Sequence, residues 1–471
     1  MRKRMRSVVF GCCVGMVAMQ SGFAMAATGE EARIQELERQ MQVLVGELKS
    51  RQGNIDALSR QVANLEGKIA EKSRAGTGRE SAQDKDEIKT LVAQAVADQQ
   101  KDSPLSKFSF GGYGEIHANL TEGATGGTKS NDKLDIHRLV ALVGYDFTDW
   151  IKFRSEIELE HAYVQDTQSG EKPSGYLMLE QAYVDFLLNE SVNVRFGRML
   201  TPVGRTNQHH EPTTFYGVER PTFDNVIIPS TWSSDGIGVF GNLASNLTYE
   251  AYVVGGLDGG NFTSGGIRDG RIKDEPSLND MALTFRFDYH PFMESNSGWA
   301  QNLRLGASFW HGGIDNVQKG ADKGKGGDLT IYSADFGTRI GDLDLKGVVA
   351  FEEIDGVAGL NTSRGATDKV AEEIFGYFIE AGYHVMPESW KTGRLKNSDA
   401  VIAVRYDKHD TQHKMAAGDL ANKNMDRHNW TFGLNFYPVP NFVIKADYQV
   451  LESEGATDPD NLINFGVGWQ F

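Results

Sequence analysis

From Phe108 to Phe471 the apolar and polar positions of this chain alternate with a period of two. In MALTFRFDYH, Met281, Leu283, Phe285, Phe287 and Tyr289 share one parity, against Ala282, Thr284, Arg286, Asp288 and His290. The pattern returns clearly in 302–310, 343–351, 400–409, 429–437, 441–450 and 462–471. Alternation of this kind predicts strands with one apolar face. About 16 such segments are predicted, starting near residues 108, 134, 151, 176, 191, 235, 247, 280, 301, 329, 343, 373, 398, 428, 441 and 462. Many approach ten residues, longer than the usual five or six, the length a tilted strand needs to cross a bilayer.

Short connections (148–150, 189–190, 244–246, 341–342, 438–440) take turns with long ones (120–132, 163–174, 201–234, 257–279, 312–328, 354–371, 410–426). An even strand count with turns at one end and loops at the other predicts an all-β fold. It is a 16-stranded antiparallel transmembrane β-barrel over 108–471, with both ends of the barrel chain in the periplasm. A soluble sandwich would have shorter strands and a polar outer parity. Aromatics at the short-turn end (Phe147, Trp150, Tyr289, Phe292, Phe436, Tyr437, Trp469, Phe471) are predicted to form the inner girdle.

Upstream the period is helical. Ile34, Met41, Leu48, Ile55, Val62 and Ile69 occupy one heptad position and Leu37, Leu44, Leu58 and Leu65 the other, interrupted only by Arg51. This predicts an α-helical coiled coil over 30–70, about 54 Å long, preceding the barrel and implying self-association. β-Branched residues at the first position with Leu at the second tend toward two strands. Residues 71–107 read as a polar linker with a short helix around Ile88, Leu91, Ala95 and Val96, ended by Pro104.

Residues 1–26 have the marks of a secretory signal peptide: Arg2, Lys3, Arg4 and Arg6, an apolar run from Val8 to Met19, and Ala24-Met25-Ala26. The only cysteines, Cys12 and Cys13, leave with it, so no disulfide or thiol chemistry is expected in the mature chain. Loss of the four basic residues takes the formal charge from −16 to −20. That acidity argues against a nucleic-acid partner. A mean hydropathy of −0.40 is too polar for a helical membrane protein.

If the apolar parity faces lipid, the other parity lines the interior. Glu115, Arg154, Glu156, Glu158, Arg195, Arg286, Asp288, Arg304, Arg339, Arg405 and Lys445 are predicted to point inward, with Lys152, Glu160, Asp335, Asp344, Lys346, Glu352, Glu380, Asp407 and Asp447. Both signs occur, and charges so numerous predict a water-filled path. Parity is poor in 134–147 and 176–188, where no inward set is predicted.

The connection 201–234 is the longest and carries an unusual density of chemistry: Arg205, His209, His210, Glu211, Glu219, Arg220 and Asp224, punctuated by four prolines. In a wide barrel a loop of this length can fold inward and narrow the opening, so these residues are the predicted pore constriction. A loop packed on the wall for structural reasons alone is the competing reading. His209 and His210 are expected to titrate near pH 6 to 7. A metal site at His209-His210-Glu211 is not expected, because adjacent residues on an irregular loop rarely aim three ligands at one point. No metal or cofactor is expected elsewhere.

Gly112-Tyr113-Gly114-Glu115-Ile116-His117 and Leu179-Glu180-Gln181-Ala182-Tyr183-Val184-Asp185 resemble the phosphate-selective porin O and P family of Gram-negative outer-membrane porins. His209-His210-Glu211-Pro212, Phe215-Tyr216-Gly217-Val218-Glu219-Arg220-Pro221 and the terminal Phe471 add to the resemblance, which covers roughly 108–471. It implies an outer-membrane porin for small hydrophilic solutes or ions, embedded in membrane lipid, working as a homotrimer and not as an enzyme. It also implies a lysine- and arginine-rich channel, whereas the inward charges here are mixed. The coiled coil is similar to periplasmic extensions of some trimeric porins, where peptidoglycan is a partner within reach. A lipase on a barrel would need serines beside histidine on the inward face, and few stand there. A tether or adhesin working through the coiled coil is the alternative.

Overall fold

The computed structural model describes residues 104–122, 132–162, 175–272, 277–315, 327–364 and 368–471. The signal peptide, the coiled coil and all but the last four residues of the linker lie outside them. Sixteen strands follow in order: β1 (Phe108–Glu122), β2 (Lys133–Asp146), β3 (Ile151–Glu160), β4 (Tyr176–Leu187), β5 (Asn193–Leu200), β6 (Ser233–Ala244), β7 (Leu247–Gly255), β8 (Met281–Tyr289), β9 (Arg304–Gly313), β10 (Asp328–Ile340), β11 (Leu343–Ile354), β12 (Glu373–His384), β13 (Asp399–Lys414), β14 (Asp426–Val439), β15 (Phe442–Ser453) and β16 (Asp460–Gln470). Each pairs antiparallel with its chain neighbours, and β1 pairs with β16 to close the barrel, from Tyr113↔Gln470 to Glu122↔Asn461. Phe471 completes the seam: its N–H donates to Gly112 O (2.9 Å), and Gly112 N–H donates to Phe471 O (3.0 Å). Closure leaves no sheet edge unpaired, which a strand protein in lipid requires.

The alternation divides the two faces as the period predicts. On β13 and β14, Ile402, Val404, Trp430, Phe432 and Leu434 are exposed on the outside, while Arg405, Asp407, Asn429 and Thr431 are buried on the inside. The two segments of poor parity owe it to β-bulges. Between β1 and β2 the register skips His137, and between β3 and β4 it skips Glu180. One extra residue flips the parity of everything after it, so Asp135 and Arg138 both point inward, as do Glu180 and Asp185.

Three connections depart from the predicted alternation. Residues 290–303 and 385–398, at the end that holds both barrel termini, are long and carry short helical turns, whereas 454–459 at the other end is short. The predicted girdle also changes: Phe147, Trp150, Tyr289, Phe292 and Phe471 are exposed on the outside, but Tyr437 lines an internal cavity.

The apolar core lies inside the barrel. Val203, Phe223, Ile227, Ile228 and Trp232 of the β5–β6 loop pack against Tyr252, Trp310, Ile331, Ala350, Ile374 and Phe378, inward residues of β7 to β12. The interior is thus not polar throughout: the half facing the loop is apolar, and the half formed by β13–β16 and β1–β4 carries most of the charge. Gly376 and Gly382 on β12 leave the loop room. A Cβ there would come within 2.7 Å of Ile227 and 2.3 Å of Tyr216.

Candidate functional site

The loop between β5 and β6 is closed at its neck by one side chain. Asn207 Nδ2 donates to Thr201 O (2.8 Å) and Trp232 O (2.9 Å), and its Oδ1 accepts from Trp232 N–H (2.8 Å). A buried amide that satisfies three backbone groups holds the two limbs together as a sheet ladder would. From this neck the loop runs within the closed sheet and bonds to widely separated strands. Gln208 donates to Glu250 on β7 and Tyr216 Oη to Asp344 on β11. Lys445 Nζ on β15 donates to Phe215 O and Gly217 O, both at 2.8 Å, and Val218 N–H to Asp447 Oδ2 (2.6 Å). Phe223 N–H reaches Asp407 on β13.

Cavities lie on either side of the loop. An outer one of about 650 Å³ is lined by Glu219, Arg220, Arg138, His137 and His161. An inner one of about 850 Å³, toward the end with the barrel termini, is lined by Arg205, Arg304, Arg339, Lys346, Lys391 and Lys396, against Asp344 and Asp399. Of the six cations, Arg304 is paired with Asp288 and Asp335, Lys346 with Glu380 and Lys391 with Glu388, which leaves Arg205, Arg339 and Lys396 against Asp344 and Asp399, a small positive surplus. A third, of about 450 Å³, holds Arg154, Glu156 and Glu211. A second loop, between β7 and β8, folds over the outer side: Arg271 Nη1 donates to Ser230 O (2.9 Å) and Thr231 O (3.1 Å), and Arg268 Nη1 to Ser230 O.

The seven loop residues singled out from the sequence do not converge on one point. Glu219 and Arg220 face the outer cavity, Arg205 the inner one, and Glu211 the third. Glu219 accepts from Asn119 and sits 3.0 Å from His117 Nδ1. Burial acts to raise its carboxyl, but His117 overrides it and holds the group well below the usual range. Arg220 Nε donates to His210 O (3.2 Å). Asp224, in the single helical turn Phe223–Val226, is buried within the loop, and that burial pushes its carboxyl up to about 8.

His209 and His210 part company. His210 Nδ1 donates to Asn207 O (2.8 Å), and its Nε2 lies 2.7 Å from Tyr113 Oη, which donates to Glu156 Oε1 (2.8 Å). Glu156 and Glu180 stand 3.8 and 3.7 Å away. Burial acts to lower this imidazole, but Glu180 and Glu156 outweigh it and raise it to about 10. His209 keeps an exposed side chain. Desolvation by its neighbours and then the Arg205 guanidinium lower it to about 4. The expectation that either histidine titrates near pH 6 to 7 is therefore corrected. Their rings take different surroundings, so they offer no joint set of ligands.

A pH dependence follows with a definite sign. A histidine raised from about 6.5 to about 10 contributes stability that is full below about pH 6.5 and lost as pH rises toward the folded value. Asp224, raised to about 8, adds loss in the same direction above about pH 4. Unfolding midpoints of the wild type should fall between pH 6 and 10, more steeply than those of His210→Gln. Parallel profiles for the two would show that His210 is not held as a cation.

The inward strand charges are mostly spent on one another. Arg138 bridges Glu115 (2.5 Å) and Glu158 (3.5 Å). Arg195 grips Asp185 with two bonds beneath Tyr183 and Phe240. Arg286 and Arg304 share Asp288 and Asp335, and Arg405 joins Glu380 and Asp407. Arg154 pairs with Asp146 (2.8 Å). Arg339 lies near the β10–β11 turn, half exposed, rather than deep in the lumen. Sequence reading missed Asp135, His137, Arg138, His161, Glu180, Arg268 and Arg271. The bulges hid those on β2 and β4, His161 lies just past the end of β3, and the last two lie in a loop without a period to read.

A closed 16-stranded barrel with an apolar outer band, a charged interior and a long loop folded inside defines an outer-membrane porin, a channel for solutes. The chain belongs to the phosphate-selective porin O and P family, whose sequence profile matches residues 110–329 and 362–467. It is 30% identical over 378 residues to an uncharacterised protein of Aquifex aeolicus (strain VF5), covering 77% of this chain and 80% of that protein. Among solved structures it is similar to OmpF of Salmonella typhi in complex with daunomycin, with 14% identity, a TM-score of 0.50 and coverage of 77% of this chain and 97% of that one. The outer-membrane channel DcaP of Acinetobacter baumannii is also similar, with 14% identity, a TM-score of 0.47 and the same coverage.

Proposed function

We propose that the barrel carries small hydrophilic or charged solutes by passive diffusion, and that the loop 201–234 narrows the path and sets its charge. The observation that carries this reading is the loop's placement: it lies inside the closed sheet, is bonded to widely separated strands and separates an outer from an inner cavity. The small positive surplus of the inner cavity, with Arg205 on the loop contributing to it, favours anions there, since low-dielectric walls focus the field of the lining charges. The barrel is proposed to work as a homotrimer, on the strength of its family. Purified protein in a planar bilayer should give discrete conductance steps, with the reversal potential in a potassium chloride gradient displaced toward chloride. Absence of conductance would return the chain to the tether or adhesin reading, and cross-linking that stops at dimers would overturn the trimer.

A further inference from the structure

We propose that Asp135, His137 and His161 form a binding site for one first-row divalent transition-metal ion, of the zinc class, in the outer vestibule. Two local irregularities bring the histidines together. The β-bulge in β2 leaves His137 out of register with β1. His161, just past the end of β3, continues the ladder by donating its N–H to His137 O (2.8 Å). Its φ of 46° is uncommon for a residue with a side chain, and its ring meets Asp135 through Nδ1.

One donor atom from each of the three lies within 4.8 Å of the others. Ligands on a tetrahedron with bonds of about 2.1 Å stand about 3.4 Å apart, so rotamer adjustments of about an ångström would close the set. His137 Nδ1 is buried without a hydrogen-bond partner and lies 3.6 Å from Asp135 Oδ2. A metal would supply what that nitrogen lacks. Two imidazoles and one carboxylate suit zinc-class ions rather than calcium or magnesium, which take oxygen ligands.

His137 and His161 line the outer cavity, which leaves a fourth position for water or a solute. His117 stacks on His137 with centroids 4.5 Å apart and steadies its plane. It is not a ligand here, because its own nitrogens face Glu115 (3.1 Å) and Glu219 (3.0 Å).

The test uses the folded full-length mature chain in detergent, titrated with Zn²⁺ by calorimetry and with Co²⁺ by absorption. The wild type should show tetrahedral Co²⁺ bands and one equivalent per chain that His137→Ala and His161→Ala each lose. Loss of a supporting partner alone weakens metal sites 10- to 100-fold, so loss of a ligand should cost about 100-fold or more. His311→Ala, on the lipid-facing side of β9 and bonded to Thr330, should match the wild type. If His137→Ala does not fold, His161→Asn, beyond the strand, carries the test. Unchanged isotherms in the folded variants, or no Co²⁺ bands in the wild type, would overturn the site. Binding is read without conductance, so it stands or falls separately from the role of the loop.

Discussion

Arg205→Glu is expected to swing the reversal potential toward cations. Around it, Arg286 and Arg304 are matched by Asp288 and Asp335, so those four charges largely cancel. Arg205 lines the inner cavity beside them, where desolvation by the surrounding wall, and then the neighbouring Arg304, lower its guanidinium. Reversing it changes the local charge by two. At separations of about 6 Å and effective dielectric constants between those of a protein surface and water, each unit charge contributes roughly 0.7 to 3 kcal/mol to an ion passing it. An anion-to-cation permeability ratio should therefore fall at least about threefold in 0.1 M salt. The effect should shrink in 1 M salt, where the screening length drops to about 3 Å. Glu211→Ala should shift selectivity oppositely and less. Glu219 and Arg220 are poorer probes, because each also holds the loop in place. If bilayer recordings of Arg205→Glu match the wild type in reversal potential at low salt, the loop does not set the charge of the path.

The second large effect is expected at the neck. Asn207→Ala removes three hydrogen bonds and leaves the carbonyls of Thr201 and Trp232 with fewer donors in a buried site. Each buried group stranded in this way costs about 1 to 3 kcal/mol. Docking of the loop should weaken by about 2 to 4 kcal/mol once partial compensation by Thr201 N–H to Trp232 O is allowed for. Expected readouts are a lower denaturant midpoint and larger open-channel current noise, with the barrel still formed. Asn207→Asp should not rescue, since a carboxylate cannot donate to two carbonyls. A quiet, fully stable Asn207→Ala channel would show that the loop is held by its apolar side alone, through Phe223, Ile227 and Trp232.

The strands were legible because a bilayer imposes a rule that each residue obeys locally. Met281 to Tyr289 must alternate to sit between lipid and lumen, and that requirement is visible without knowing any partner. Strand count and the membrane-barrel class follow from it, while the family was legible only in motifs such as Gly112–His117 and His209–Pro212. Where one residue breaks the period, as His137 and Glu180 do, the face of every later residue depends on a register set by the neighbouring strand. The apolar inward residues of β7 to β12, among them Trp310, Ile331 and Phe378, make sense only against a loop brought inside from elsewhere in the chain. The same holds for the two adjacent histidines. In sequence His209 and His210 are alike; Glu180 and Glu156, arriving from β4 and β3, raise His210 against its burial, while burial and then Arg205 lower His209. Periodicity belongs to the chain, but charge state and site geometry belong to contacts between residues far apart in sequence, and those form only when the barrel closes around its loop.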